Sequence, residues 1–203
     1  MSKKVLIEEN KFSTSGFNLT EGKTSERGNP IVEGILATAE VKNGNGRYYK
    51  RSLWEREIDK YMESVKDKRA LGELDHPESS IINLKNVSHN ITDLWWDGNN
   101  IMGKMEILST PSGNILKALI GDGIQVGVSS RGMGSLQETD GVLEVQDDFD
   151  LLCWDFVSTP SNPGSWMSPL TEGVDYSNIP NPYKTTQSII TDILCSQGSC
   201  PIF

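Results

Sequence analysis

Two short runs carry side chains able to do chemistry. The chain has only two histidines, His76 and His89, and His76 stands in Gly72-Glu73-Leu74-Asp75-His76-Pro77. The second run, Gly127-Val128-Ser129-Ser130-Arg131-Gly132, sets two hydroxyls at the end of an apolar stretch and among glycines. A hydroxyl attacks a carbonyl near neutral pH only when a neighbouring base takes its proton, so a histidine and a serine are the minimum parts for acyl transfer. The glycines permit close backbone approach, and N–H groups of Ser130, Arg131 and Gly132 are candidates to face an oxyanion. Ser130 is the alternative nucleophile. The Arg131 guanidinium is placed to order the loop or the surroundings of the oxyanion.

A third residue must orient the histidine. Asp155, in Leu151-Leu152-Cys153-Trp154-Asp155-Phe156-Val157, is the best candidate, because a carboxylate in so apolar a strand needs a partner. Glu73 and Asp75 are rivals by proximity, although strand alternation sets Asp75 and His76 on opposite faces. Each residue also has an ordinary structural reading. His76 can be satisfied by a loop carbonyl, Ser129 and Ser130 can form a turn, and Arg131 can lie on the surface. His89 is the competing base, although it alternates with apolar positions and reads as a solvent-facing strand residue. Cys153 reads as core filling, and its neighbours Leu152 and Trp154 offer nothing to activate a thiol. The serine spacing is not the Gly-x-Ser-x-Gly elbow and no helix follows it, which argues against an α/β-hydrolase.

These residues need elements to hold them. Lys4 to Glu8 reads as a short strand, Ile31 to Val41 as a longer one, and Asn43-Gly44-Asn45-Gly46 as a turn. The clearest helix runs from Ser52 to about Lys66. Ser52 and Glu55 match a capping box, and Trp54, Ile58, Tyr61, Met62 and Val65 share a face. Residues 69–75 read as a strand that ends at His76. Val87–Trp96 and Ile101–Leu108 flank Asp97-Gly98-Asn99-Asn100 as a hairpin. Thr110-Pro111 opens a second helix with Ile115, Leu116, Leu119 and Ile120 on its apolar face, and Gly121 closes it. Ile124–Ser129 and Val142–Val157 read as strands, the latter broken near Asp147-Asp148. The fold class is therefore α+β, a strand-dominated, barrel-like domain with two helices. Its expected divisions are a polar N-terminal segment over 1–30, the main domain over 31–167 and a polar tail over 168–203.

Composition narrows the function. An apolar share of 36 % is low for a chain packed throughout, which fits the polar ends. The net charge of −9 argues against non-specific nucleic-acid binding. No apolar run is long enough to span a membrane, and the start lacks the apolar core of a secretory signal, so a cytoplasmic location is expected. Cys153, Cys195 and Cys200 have no framework spacing and read as reduced thiols. Neither a metal nor a cofactor is expected.

Three ordered segments carry a family resemblance. They are Ala70-Leu71-Gly72-Glu73-Leu74-Asp75-His76-Pro77, Asp93-Leu94-Trp95-Trp96-Asp97-Gly98 and Gly127-Val128-Ser129-Ser130-Arg131-Gly132-Met133-Gly134-Ser135-Leu136. Together with Asn45-Gly46-Arg47-Tyr48-Tyr49 and Pro160-Ser161-Asn162-Pro163, they resemble the prohead core protein proteases of contractile-tailed bacteriophages, from about Ile31 to Trp166. The resemblance implies an assemblin-like fold and a serine endopeptidase that cleaves scaffold and capsid proteins, and then itself, inside the prohead in the host cytoplasm. It puts the family's histidine on His76 and its nucleophile on Ser129. The third residue varies among relatives; Asp155 is offered here, and Cys153 stands where some phage relatives carry an acid. It also implies cleavage after an aliphatic-x-Glu triplet. Leu-Thr-Glu-Gly occurs twice, ending on Gly22 and Gly173, so Glu21 and Glu172 are candidate self-cleavage sites. Prohead scaffold and capsid proteins are the expected partners, with neither nucleic acid nor membrane, and a homo-oligomer is left open. The rival expectation is a non-catalytic structural β-domain of the capsid or tail, which would need neither His76 nor Ser129.

Overall fold

The computed structural model describes residues 4–6, 24–77, 79–139, 141–158, 160–162, 164–165 and 167–169. Both candidate cleavage sites, Glu21 and Glu172, and the tail thiols Cys195 and Cys200 lie outside them. The chain begins with β1 (Lys4–Leu6), β2 (Ile31–Thr38), β3 (Arg47–Tyr48) and helix α1 (Arg51–Lys66). Then come β4 (Leu71–Glu73), β5 (Val87–Asp97), β6 (Asn100–Ile107) and helix α2 (Pro111–Gly121). It closes with β7 (Gly127–Gly134), β8 (Leu136–Thr139), β9 (Val142–Val145), β10 (Asp150–Val157) and β11 (Ser168–Pro169).

The strand-dominated α+β reading holds, but among the described residues the strands close no barrel. They form three open sheets, ordered β1-β7-β10, β11-β2-β6-β5-β4 and β3-β9-β8. A bridge between Leu74 and Phe156 links the end of β4 to β10 and so joins the first two. Of the segment expected as a tail from residue 168, Ser168 and Pro169 pair with Glu33 and Val32 of β2.

Local signals explain most elements. Gly98, at φ +58°, makes the tight turn between β5 and β6, where a left-handed residue is needed. The Thr110 hydroxyl accepts the Gly113 N–H at 3.0 Å, with Pro111 at the first helical position. The left-handed stop of α2 is Gly123, at φ +77°, rather than Gly121. The capping box expected for α1 does not form. That helix starts at Arg51 with Lys50 as an uncapped N-terminal residue, and Ser52 already lies inside the first turn. What holds α1 is its apolar face. Trp54 stacks on Trp154 with centroids 6.0 Å apart, and Tyr61 meets the same indole edge-on at 5.1 Å. Burying such rings dominates core energetics. Trp154 thus fixes one face of β10 against α1 and leaves the other face for the candidate site.

Candidate active site

Register decides which side chains meet. Across β7 and β10, Ser129 pairs with Asp155, Ser130 with Trp154 and Arg131 with Cys153. Directly opposed residues share a face and successive residues alternate. Ser129, Arg131, Cys153 and Asp155 therefore stand on one face, and Ser130 stands with Trp154 on the core face. The two adjacent serines are chemically alike but turned to different environments.

His76 reaches that face from the end of β4. Asp75, immediately before it, adopts φ +70°, a left-handed conformation that is uncommon for a residue with a side chain. Its N–H donates to the Phe156 carbonyl at 2.8 Å, and its carboxylate accepts the His76 N–H at 3.1 Å. The strand has ended by Asp75, so this kink, rather than strand alternation, directs the imidazole. Asp75 itself is exposed and is not the acid beside the ring. His76 Nδ1 lies 2.8 Å from Asp155 Oδ2. A carboxylate only accepts, so Nδ1 carries a proton, which in the neutral ring leaves the lone pair on Nε2. That Nε2 is buried and has no hydrogen-bond partner among the described residues.

Asp155 is fully buried. Burial by itself would raise its carboxyl, but the His76 hydrogen bond and the Arg131 charge hold it below the ordinary carboxylate value. Its Oδ1 accepts the backbone N–H of Glu73 at 2.9 Å. Arg131 Nε lies 2.8 Å from Oδ2, a close charge contact rather than a directed hydrogen bond. The Ser129 hydroxyl lies 3.1 Å from the Ser161 hydroxyl, a residue whose type and place gave no chemical signal in the sequence.

The side chain of Arg131 and the Cα of Gly132 have surroundings of their own, separate from the backbone N–H groups expected to face an oxyanion. Arg131 is buried, and its guanidinium turns to Glu73, Asp155 and the Ser79 carbonyl. Gly132 is opposed by Leu6 on one side and Leu151 on the other, and a Cβ there would stand 2.4 Å from the Phe149 ring. Packing accounts for that glycine.

His89 is not solvent-facing, contrary to the alternation reading. It is fully buried, with Nε2 3.1 Å from the Trp154 carbonyl and Nδ1 2.9 Å from the Ser88 hydroxyl. A carbonyl only accepts, so Nε2 carries the proton. Burial lowers its pKa to about 4, leaving a neutral structural histidine. Cys153 is buried too, and burial together with the nearby Asp155 charge pushes its thiol well above the ordinary range. A thiol nucleophile needs the thiolate, so Cys153 is core filling, as its neighbours implied, and not a nucleophile. Among the described residues no cluster of His, Cys, Asp and Glu is arranged to hold a metal, and no helix is long and apolar enough to cross a membrane.

Comparison with known proteins bears on the family and the fold. Residues 4–175 match the family described as the prohead core protein serine protease. The prohead core protein protease of Enterobacteria phage T4 is 38 % identical over 143 residues, 68 % of this chain and 68 % of that one. The solved structure of the bacteriophage T4 capsid assembly protease superposes with a TM-score of 0.68 at 32 % identity, covering 77 % of this chain and 99 % of that one. A family match across most of the chain, a relative well above chance identity and a shared fold point the same way: this chain belongs to the prohead core protein serine protease family.

Proposed function

We propose that this serine peptidase acts through Ser129, His76 and Asp155 and matures a phage prohead by cutting its scaffold and capsid proteins. One observation carries the assignment: Asp155 holds His76 by Nδ1 while standing directly across the sheet from Ser129. In this reading His76 Nε2 takes the Ser129 proton as Oγ attacks the scissile carbonyl. Asp155 keeps the ring in the Nδ1–H tautomer and stabilises the imidazolium that forms. The tetrahedral intermediate collapses as His76 returns the proton to the leaving amine, giving an acyl-enzyme that water then hydrolyses. The developing oxyanion needs fixed N–H donors, and the β7 backbone beside Ser129 is the nearest element to supply them.

The cleavage rule in this reading is an aliphatic residue, any residue, then glutamate. Leu19-Thr20-Glu21 and Leu170-Thr171-Glu172 satisfy it in polar stretches of sequence on either side of the main domain. Self-processing would then leave residues 22–172. The test is intact mass spectrometry of the purified chain beside Ser129→Ala after hours at room temperature. The expected result is loss of both ends after Glu21 and Glu172 in the unaltered chain only. Both proteins staying whole, with an added Leu-Thr-Glu-Gly peptide also uncut, would favour the structural β-domain instead.

A further inference from the structure

Beneath His76 lie three charged side chains with 0 % exposure: Glu73, Arg131 and Asp155. Proton transfer as described uses Asp155 and leaves the other two without a task. Neither can touch a substrate, because both are covered. Fold stability is a weak reason to keep them, since a buried ion pair is often no more stabilising than apolar side chains of similar volume.

Their contacts suggest a different reason. Arg131 Nη2 donates to Glu73 Oε2, and Nη1 donates to the Ser79 carbonyl at 2.7 Å. Glu73 Oε1 accepts the Asn83 N–H at 3.1 Å. Ser79 and Asn83 both belong to the segment that follows His76, and both are gripped by backbone atoms. The same Arg131 sets Nε against Asp155 Oδ2, and the backbone N–H of Glu73 fixes Oδ1. One buried pair therefore touches the carboxylate that orients the imidazole and the loop that carries it. Arginine suits this place because its planar fork serves three acceptors at once, which an ammonium cannot do with the same geometry.

We propose that Arg131 and Glu73 are positioning residues that clip the segment after His76 to the strand floor and hold Asp155 in line with Nδ1. The inference rests on the Ser129–His76–Asp155 reading.

Three measurements on the full chain test it. The first leaves the pair unaltered: in Ser129→Ala protein, hydrogen exchange at the Asn83 amide should be as slow as at β5 amides. Exchange at the rate of a free loop would overturn the clip. The second is Arg131→Lys, which keeps the charge and loses the fork. On a Leu-Thr-Glu-Gly peptide its kcat should fall about 100-fold with KM within about twofold, since misplacement of catalytic groups acts on the chemical step. In the Ser129→Ala background it should also lose the far-downfield NMR signal of the His76 Nδ1 proton. A folded Arg131→Lys chain with unaltered kcat and that signal intact would overturn the proposal. The third is the charge-neutral double variant Glu73→Gln/Arg131→Met, which serves if Arg131→Lys does not fold. The same loss of kcat supports the clip, and unaltered kcat overturns it. If the unaltered chain fails to cut the peptide, the peptidase site assignment fails alone, and the exchange and proton signals still decide the clip.

Discussion

Ser129 and Ser130 differ by one position and by an entire environment. Ser129 shares a face with Asp155, whereas Ser130 shares the core face with Trp154. Ser129→Ala should therefore reduce peptide cleavage by at least about 1,000-fold, as loss of a triad nucleophile does. Ser130→Ala should keep a rate within about tenfold of the unaltered chain, because it removes no group from the reacting face. Steady-state kinetics on both variants checks the pair, and an inert Ser130→Ala beside an active Ser129→Ala would reverse the assignment. Asp75 matters for its backbone rather than its charge. At φ +70°, Asp75→Val should cost about 1–2 kcal/mol, while Asp75→Asn, which tolerates that conformation, should cost little. Urea midpoints at unchanged slope measure the difference.

Strands β4, β5 and β10 meet so closely at the site that one position has no room for a side chain. A Cβ on Gly72 would stand 2.1 Å from the Trp154 carbonyl and 2.3 Å from the His89 ring. Neither neighbour can yield cheaply: the carbonyl is strand backbone, and the His89 ring is held at both nitrogens. Gly72→Ala should cost about 3 kcal/mol, at the upper end for overpacking a rigid core, with a matching fall in thermal midpoint by calorimetry. Because β4 leads into His76 and β10 carries Asp155, residual folded Gly72→Ala protein should also cleave more slowly. Helix α1 acts on the site indirectly. It packs on Trp154 and so sets the face of β10 from which Asp155 projects.

At the scale of the whole molecule, acid should unfold this protein through a buried base. His89 has its pKa lowered from 6.5 to about 4 in the folded chain. Unfolding lets it bind a proton at its ordinary value, so the unfolded state carries more protons between these limits and stability rises with pH there. The contribution is complete above about pH 6.5 and is lost as pH falls towards 4, amounting to about 3 kcal/mol. Asp155 adds a second loss at lower pH. Its folded value is depressed below 3.8, so its contribution is present above that value and disappears as it protonates. Denaturant unfolding in Ser129→Ala protein at pH 7 and pH 4.5 should show the first loss, and His89→Gln should flatten it. A slope unchanged by His89→Gln would mean that another group carries the acid sensitivity.

Sequence alone offered the candidate chemistry-bearing residues and determined the elements whose signals are local. A chain with two histidines leaves few bases to choose from, and the Thr110-Pro111 cap, the Gly98 turn and the apolar face of α1 are set by neighbours within a few residues. The family resemblance was likewise legible, because ordered motifs survive as strings. Only the tertiary structure decided which side chains face one another. Strand alternation suggested that His89 faces solvent, but packing on β10 buried it. The same periodicity set Asp75 against His76, but a left-handed kink ended the strand and turned the ring to Asp155. Arg131 read as a surface residue or an oxyanion aid, yet it lies under the histidine between two carboxylates. Such placements depend on register between strands far apart in the chain. One residue of slip would exchange Ser129 for Ser130 without changing a letter of the sequence.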